Sequence, residues 1–309
     1  MKTKHWMLFL LLGAIWSSSF MWIKIALNEV GPVTLVAFRV LFGFVFCAAV
    51  IFIRRIELPR SLKEWYPLFL IGVTNLAVPF FLISWGEQSV DSSVASILDA
   101  TVPLFTIVMA HFMLSDDKMT AQKIMGLLTG FAGVIVLLSK NIGTSPAGVH
   151  VHTDSLLGQG AVVLASLFYA GSGVYIRKST QNVHGMVRSG GPLLSASLIM
   201  WMSVFITESP VKMPHLDLTW TALLFLGVIG SGFAFVLAFY LIHEIGPTRT
   251  SMVTYIFPLG GVILGVTFLH EVITWQLIAG GAMILLSLII ANARGIKRST
   301  KLNPEINAG

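Results

Sequence analysis

Ten apolar runs, each close to the length that crosses a lipid bilayer, recur along this 309-residue chain, and they constrain its fold more than any other feature. They fall at about 6–27, 34–53, 67–85, 93–114, 122–139, 156–176, 190–207, 219–242, 251–269 and 273–292. About 20 apolar residues in a helix span the ~30 Å of hydrocarbon. Charged residues are 11% of the chain, against about a quarter in a soluble domain, so a water-facing surface could not be covered. Strands of a membrane barrel would alternate apolar and polar residues, and these runs do not. The expectation is an all-α membrane protein of ten transmembrane helices, because a helix satisfies its own backbone in lipid. The connections between runs are too short to hold a soluble domain.

The start, M-K-T-K-H-W, has the positive flank of a signal peptide. The apolar segment behind it is too long, contains Lys24 and lacks a small-residue cleavage site, so it reads as a retained first helix. The single cysteine, Cys47, lies within the second run and cannot form an intramolecular disulfide. Net charge is +6, and its placement carries the message. With ten spans and both ends on one side, that side holds sixteen of the twenty Lys and Arg residues, among them Lys4, Arg54, Arg55, Lys123, Arg188 and Arg298. Basic residues in short loops mark the cytoplasmic side. Both termini are therefore expected in the cytoplasm of a multi-pass cell-membrane protein, and the positive charge is a topology signal that calls for no nucleic-acid partner.

The sequence also repeats itself. At a spacing of 155, Gly72 meets Gly227, Trp85 meets Tyr240 and Pro103 meets Pro258. At 153, Trp16 meets Tyr169, Ser19 meets Ser172, Trp22 meets Tyr175 and Lys24 meets Arg177. At 154, Thr120, Gln122 and Gly126 meet Thr274, Gln276 and Gly280. Two units follow, 1–145 with five helices and 153–298 with five more, then a cytoplasmic tail at 299–309. Five is odd, so the second unit must enter the membrane in the opposite sense. Inverted repeats build carriers that open alternately to either side around a site near the midplane.

"AIWSSSFMWIKIAL" at 14–27, "VASILDATVPLFTIVMAHFMLSDDKMTAQKIMGLLTGFAGVIVLL" from Val94 and "TSMVTYIFPLGGVILGVTFLHEVITWQLIAGGAMILLS" from Thr250 resemble the motifs of the EamA family in the drug/metabolite transporter superfamily. The resemblance covers nearly the whole chain. It implies a ten-helix carrier with a 5+5 inverted repeat that moves small metabolites, often amino acids outward. It also implies that helices 1, 3, 4, 6, 8 and 9 surround a central cavity, with helices 5 and 10 peripheral. Two departures stand out: Ser115-Asp116-Asp117 where Gly-Glu is usual, and Asp99 where a neutral polar residue is frequent.

Individual residues sharpen the expectation. Ser92, Ser96, Asp99 and Pro103 share one helix face, and a charge in a membrane helix costs roughly 2.5–3.5 kcal/mol at its centre. Asp99 is expected to bind a substrate amine, to carry a proton, or to pair with Arg39. Arg39 could instead hold a substrate carboxylate or extend to the interface. Trp16, Ser19, Asn75, Tyr169, Ser172 and, more weakly, Tyr255 are candidates for the cavity wall. Pro103 and Pro258 are matched candidate hinges, with a static bend as the bland alternative. Gly126 and Gly130 form a small-residue pair suited to close packing of helix 5 on helix 10, with a dimer contact as the alternative. Glu271 reads as a solvated group at the outer mouth.

His111, His243 and His270 have no ligand spacing, so neither a metal nor another cofactor is expected. An intramembrane serine hydrolase is the alternative of another class, from "YAGSGV" around Ser172 with His243 as base. It fares poorly, since Ser172 has a symmetry mate in Ser19. The expected function is a secondary transporter, by direction an exporter, of amino acids or similar zwitterionic or amphipathic solutes, with a multidrug or organic-cation exporter as the alternative. Its partners are the solute, the bilayer and a candidate coupling proton, in a monomer or weak homodimer.

Overall fold

The computed structural model describes residues 3–113, 119–139, 155–180, 183–245, 250 and 252–301, with backbone alone at 177–178, 242–243 and 292–301. Ser115, Asp116 and Asp117, the segment 140–154 and tail residues 302–309 lie outside the described residues. Ten helical rods run in order: α1 (Thr3–Ala26), α2 (Pro32–Ile53), α3 (Leu62–Gly86), α4 (Ser92–Met113), α5 (Ala121–Leu138), α6 (Leu156–Ser179), α7 (Gly185–Thr207), α8 (217–245), α9 (Met252–Leu269) and α10 (Trp275–Lys301). Among the described residues nine are long and apolar enough to cross a membrane, and α10 adds a shorter apolar stretch over Trp275–Ala291. The tenth helix thus runs on well past residue 292, where its apolar run ends.

Two helices, α3 and α8, are interrupted by wide π-helical turns, at Gly72–Ala77 and Phe225–Phe233. Such turns are rare and gather at functional sites. The glycines at 72 and 227 show why each is tolerated here. A Cβ on Gly72 would lie 2.5 Å from the Pro192 carbonyl of α7, and one on Gly227 2.9 Å from the Arg39 carbonyl of α2. Each wide turn is therefore pressed against a helix of the other half. The entrances of α3 and α8 are also copies: Trp65 Nε1 donates to the Pro59 carbonyl at 3.0 Å, and Trp220 Nε1 to the Pro214 carbonyl at 3.2 Å.

α5 and α10 pack closely through Gly126 against the Ser287 carbonyl and Ala291, and through Gly133, where a Cβ would lie 2.9 Å from the Gly280 carbonyl. The small residues near the start of α5 therefore serve internal packing. Thr120 caps α5 by accepting from the Lys123 amide at 3.3 Å, and Thr274 accepts from the Leu277 amide at 3.3 Å.

Call the face where α1 begins the terminal face, and the other the opposite face. On the opposite face three carboxylates reach from one half to a helix start in the other. Glu208 accepts from the amides of Val33 and Thr34 at the start of α2, at 3.0 and 2.9 Å. Glu271 accepts from Ser92 and Ser93 at the start of α4, at 2.7 and 3.0 Å. Glu29 accepts from His215 and Leu216 before α8, at 3.4 and 3.1 Å. A helix start leaves free N–H groups and a positive dipole end, so a carboxylate there is favourable. Glu271 is thus a clamp between the halves, which corrects the expectation of a solvated mouth residue. Glu29 is held further by Thr219, whose side chain is the main cause keeping its carboxyl below the ordinary range.

Candidate functional site

A carboxylate and a guanidinium sit inside the bundle without touching. Asp99 and Arg39 are 6% and 5% exposed, which removes interfacial extension as an account of Arg39. The Arg39 Nε donates to Ser231 Oγ of the α8 wide turn at 3.1 Å. Its guanidinium carbon lies 3.7 Å from the centroid of the Phe80 ring, a cation–π contact that shields the charge. Asp99 faces α6 instead: the Ser166 hydroxyl is 3.5 Å from Asp99 Oδ1 and 3.3 Å from the Leu98 carbonyl. Arg39, Asp99 and the Tyr169 hydroxyl stay within electrostatic reach of one another. The direct Arg39–Asp99 ion pair weighed from sequence is not formed among the described residues.

The position of Asp99 follows from a break in its helix. α4 is helical over Ser92–Asp99 and again over Val102–Met113, with Pro103 in the first turn of the second piece. Proline is at home there because it has no N–H to lose. The Leu98 carbonyl at the break receives the Thr101 hydroxyl at 2.6 Å and lies near Ser166, which is how lipid-embedded chains tolerate interrupted helices. α9 repeats the design, with a tight 3₁₀ turn at Met252–Tyr255, a regular helix from Ile256 and Pro258 in its first turn.

The aromatic and hydroxyl candidates divide into two matched groups. Trp16 of α1 donates its indole N–H to the Gly230 carbonyl of the α8 wide turn at 3.1 Å and stacks edge-on against Phe235 and Phe257. Ser19 lies beside the same glycine. In the other half Ser172 of α6 donates to Thr74 Oγ1, in the α3 wide turn, at 2.8 Å. Each half thus docks its first helix on the wide turn of its twin. Asn75, in the α3 wide turn, is half-buried. Tyr255 turns away from this centre and donates to the Leu288 carbonyl of α10 at 3.2 Å.

A cavity of about 320 Å3 lies in the terminal-face half of α3, α4 and α6, lined by Leu70, Thr74, Met109, Phe168, Ser172 and Tyr175 among others. Of the candidate residues only Ser172 lines it. Trp16, Ser19, Arg39, Asp99 and Tyr169 form a separate, more deeply packed polar centre. Phe80, Ser166, Gly230 and Ser231 belong to that centre and were missed from sequence. The exact spacing of 155 between Asn75 and Gly230 was the available signal for the last two. Among the described residues no three His, Cys, Asp or Glu side chains gather as a metal site.

The arrangement fits what the chain is similar to. A model of the EamA-like transporter family matches residues 4–139 and again 156–293. The "Uncharacterized transporter YoaV" of Bacillus subtilis (strain 168) is 26% identical over 274 residues, covering 87% of this chain and 90% of that protein. The "Uncharacterized inner membrane transporter YedA" of Escherichia coli (strain K12) is 28% identical over 254 residues, covering 81% and 78%. A solved crystal structure superposes with a TM-score of 0.68 at 17% identity over 96% of this chain and 99% of its own, which shows a shared fold. The duplicated match and the all-helical membrane fold lead to one conclusion: the chain belongs to the EamA-like transporter family, membrane proteins that transport solutes rather than transform them.

Proposed function

We propose that this transporter exports small zwitterionic metabolites, amino acids or close relatives, by alternating access, with Arg39 and Asp99 as the two charge-recognition residues. The single observation that carries this reading is a buried cation and a buried anion in one polar centre that do not neutralise each other. A lone organic cation would need the acid and would be repelled by the guanidinium. A zwitterion matches both, its carboxylate on Arg39 and its ammonium on Asp99. Trp16, Ser19 and Tyr169 surround these ends in the polar centre, while Asn75 of the α3 wide turn and Ser172 of the separate terminal-half cavity meet the solute on its way in.

The breaks before Pro103 and Pro258 supply the bends, and the wide turns at Asn75 and Gly230 the sliding contacts, through which the inverted halves rock. Positive charge in the loops puts the terminal face in the cytoplasm. With the opposite face clamped and the cavity in the terminal half, the present state is one that loads from the cytoplasm.

Growth of cells expressing the protein against toxic amino-acid analogues and permanently cationic drugs tests the reading. Resistance to the zwitterions, lost in Asp99→Asn with protein level unchanged, is expected. Resistance confined to cations would overturn it.

A further inference from the structure

A second buried carboxylate lies toward the opposite face, beyond the Arg39–Asp99 centre but within its electrostatic reach. Glu87 follows the last turn of α3 and is wholly buried. Its backbone carbonyl and that of Val90 receive the Lys24 ammonium at 2.6 and 2.8 Å. Neither oxygen of its carboxylate has a hydrogen-bond partner among the described residues. Ser84 Oγ, Ser92 Oγ and both amide atoms of Gln159 share that condition in the same corner of α3, α4 and α6, and all three residues are wholly buried. The corner is drawn tight by glycine: a Cβ on Gly86 would lie 2.7 Å from the Gly158 carbonyl.

An ionised carboxylate without donors is not sustainable at such burial. The charged groups within its reach are Lys24 of α1, Arg39 of α2, Asp99 of α4 and Glu271 before α10, while α6 presents the neutral Gln159. Three carboxylates therefore face two cations. Glu271 is held by two amides and Asp99 by a hydroxyl, and Lys24 donates to backbone carbonyls. One proton closes the balance, and Glu87 is the group left to hold it.

We propose that Glu87 is a proton-binding site that controls the opposite face. Its carboxyl takes a proton from water on that side before the face closes over it, and returns the proton to that water when the face opens. The site itself stands on burial and charge balance; its control of opening rests on the alternating-access reading above.

The test is infrared spectroscopy of the full chain in phospholipid vesicles, titrated with pH in potassium and in sodium buffers. A protonated-carboxyl C=O band at neutral pH is expected, lost in Glu87→Gln, retained in Asp99→Asn and bleached only as pH rises. A native protein without that band overturns the proposal even if the variant fails to fold. A band bleached by sodium at constant pH overturns it in favour of a metal-cation site. Absence of solute flux with the band intact would instead count against the transport reading alone.

Discussion

The two faces of this bundle are tied by different chemistry. On the opposite face three acids, Glu29, Glu208 and Glu271, each cross from one half to a helix start in the other. On the terminal face the described side chains offer a contact of another kind, His5 Nε2 to Glu244 Oε2 at 3.3 Å, between α1 and α8. The difference teaches that a fold written twice can carry unlike ties on its two faces. Two of these acids have no acidic mate in the duplication: residue 182, 153 places after Glu29, is an asparagine, and residues 54 and 55, 154 and 153 places before Glu208, are arginines, whereas Glu271 stands 154 places after Asp117.

Breaking the clamps should have the largest effect. Glu208→Gln combined with Glu271→Gln takes the charge out of four amide contacts, hydrogen bonds worth roughly 1.5–3 kcal/mol each when one partner is ionised. The expected result is a shift of the resting population toward an open opposite face, read as faster labelling of a cysteine placed at Ser93. The wide turns come next. Gly227→Ala pushes a methyl into Phe42 and the Arg39 carbonyl, an overpacking of about 1–3 kcal/mol. A lower thermal midpoint with slower exchange between the faces is expected, and Gly72→Ala should do the same against Pro192.

Ser172→Ala is smaller. It removes the bond to Thr74, worth about 0.5–1.5 kcal/mol, and should loosen α6 on α3 while leaving the clamps intact. The native Ser172 should also resist fluorophosphonate labelling, as a wall residue rather than a nucleophile.

The smallest effect is a pH response at Glu29. Its carboxyl titrates below its unfolded value because Thr219 and the two backbone amides hold the charged form. Its stabilisation is therefore complete above the unfolded carboxylate range, near pH 4.3, and is lost as pH falls through the lower folded value. The protection of the Leu216 amide, with its intrinsic exchange rate divided out at each pH, should fall in that acid window and stay flat above it.

Much of the frame was legible in sequence because it depends on local pattern. Apolar runs fixed the helices, and glycine pairs such as Gly126 and Gly130 marked the close packing of α5 on α10. The matched prolines, Pro103 and Pro258, stand at matched helix breaks. What escaped depends on partners far along the chain. Glu271 and Ser92 are 179 residues apart, and nothing near either announces the clamp. Pairing with Arg39 is one reading the sequence allows for Asp99, yet it faces Ser166, a small serine indistinguishable in sequence from any other in a membrane helix. The wide turns were invisible too, since a shift to i→i+5 bonding answers to the neighbouring helix rather than to composition. Tyr255 was drawn to the centre by its nearness to Pro258, while its ring follows the 3₁₀ turn toward α10.

One measurement reaches the central claim of two inverted halves that seal the opposite face while the terminal face loads. Spin labels are placed at Asn28 and His215 across the opposite face, and at Thr3 and His184 across the terminal face, in a Cys47→Ala background in vesicles. Addition of an amino acid to which expression confers resistance in the growth test should lengthen the first distance and shorten the second in the same fraction of molecules. Distances that move together, or a first pair already long without solute, would contradict the account.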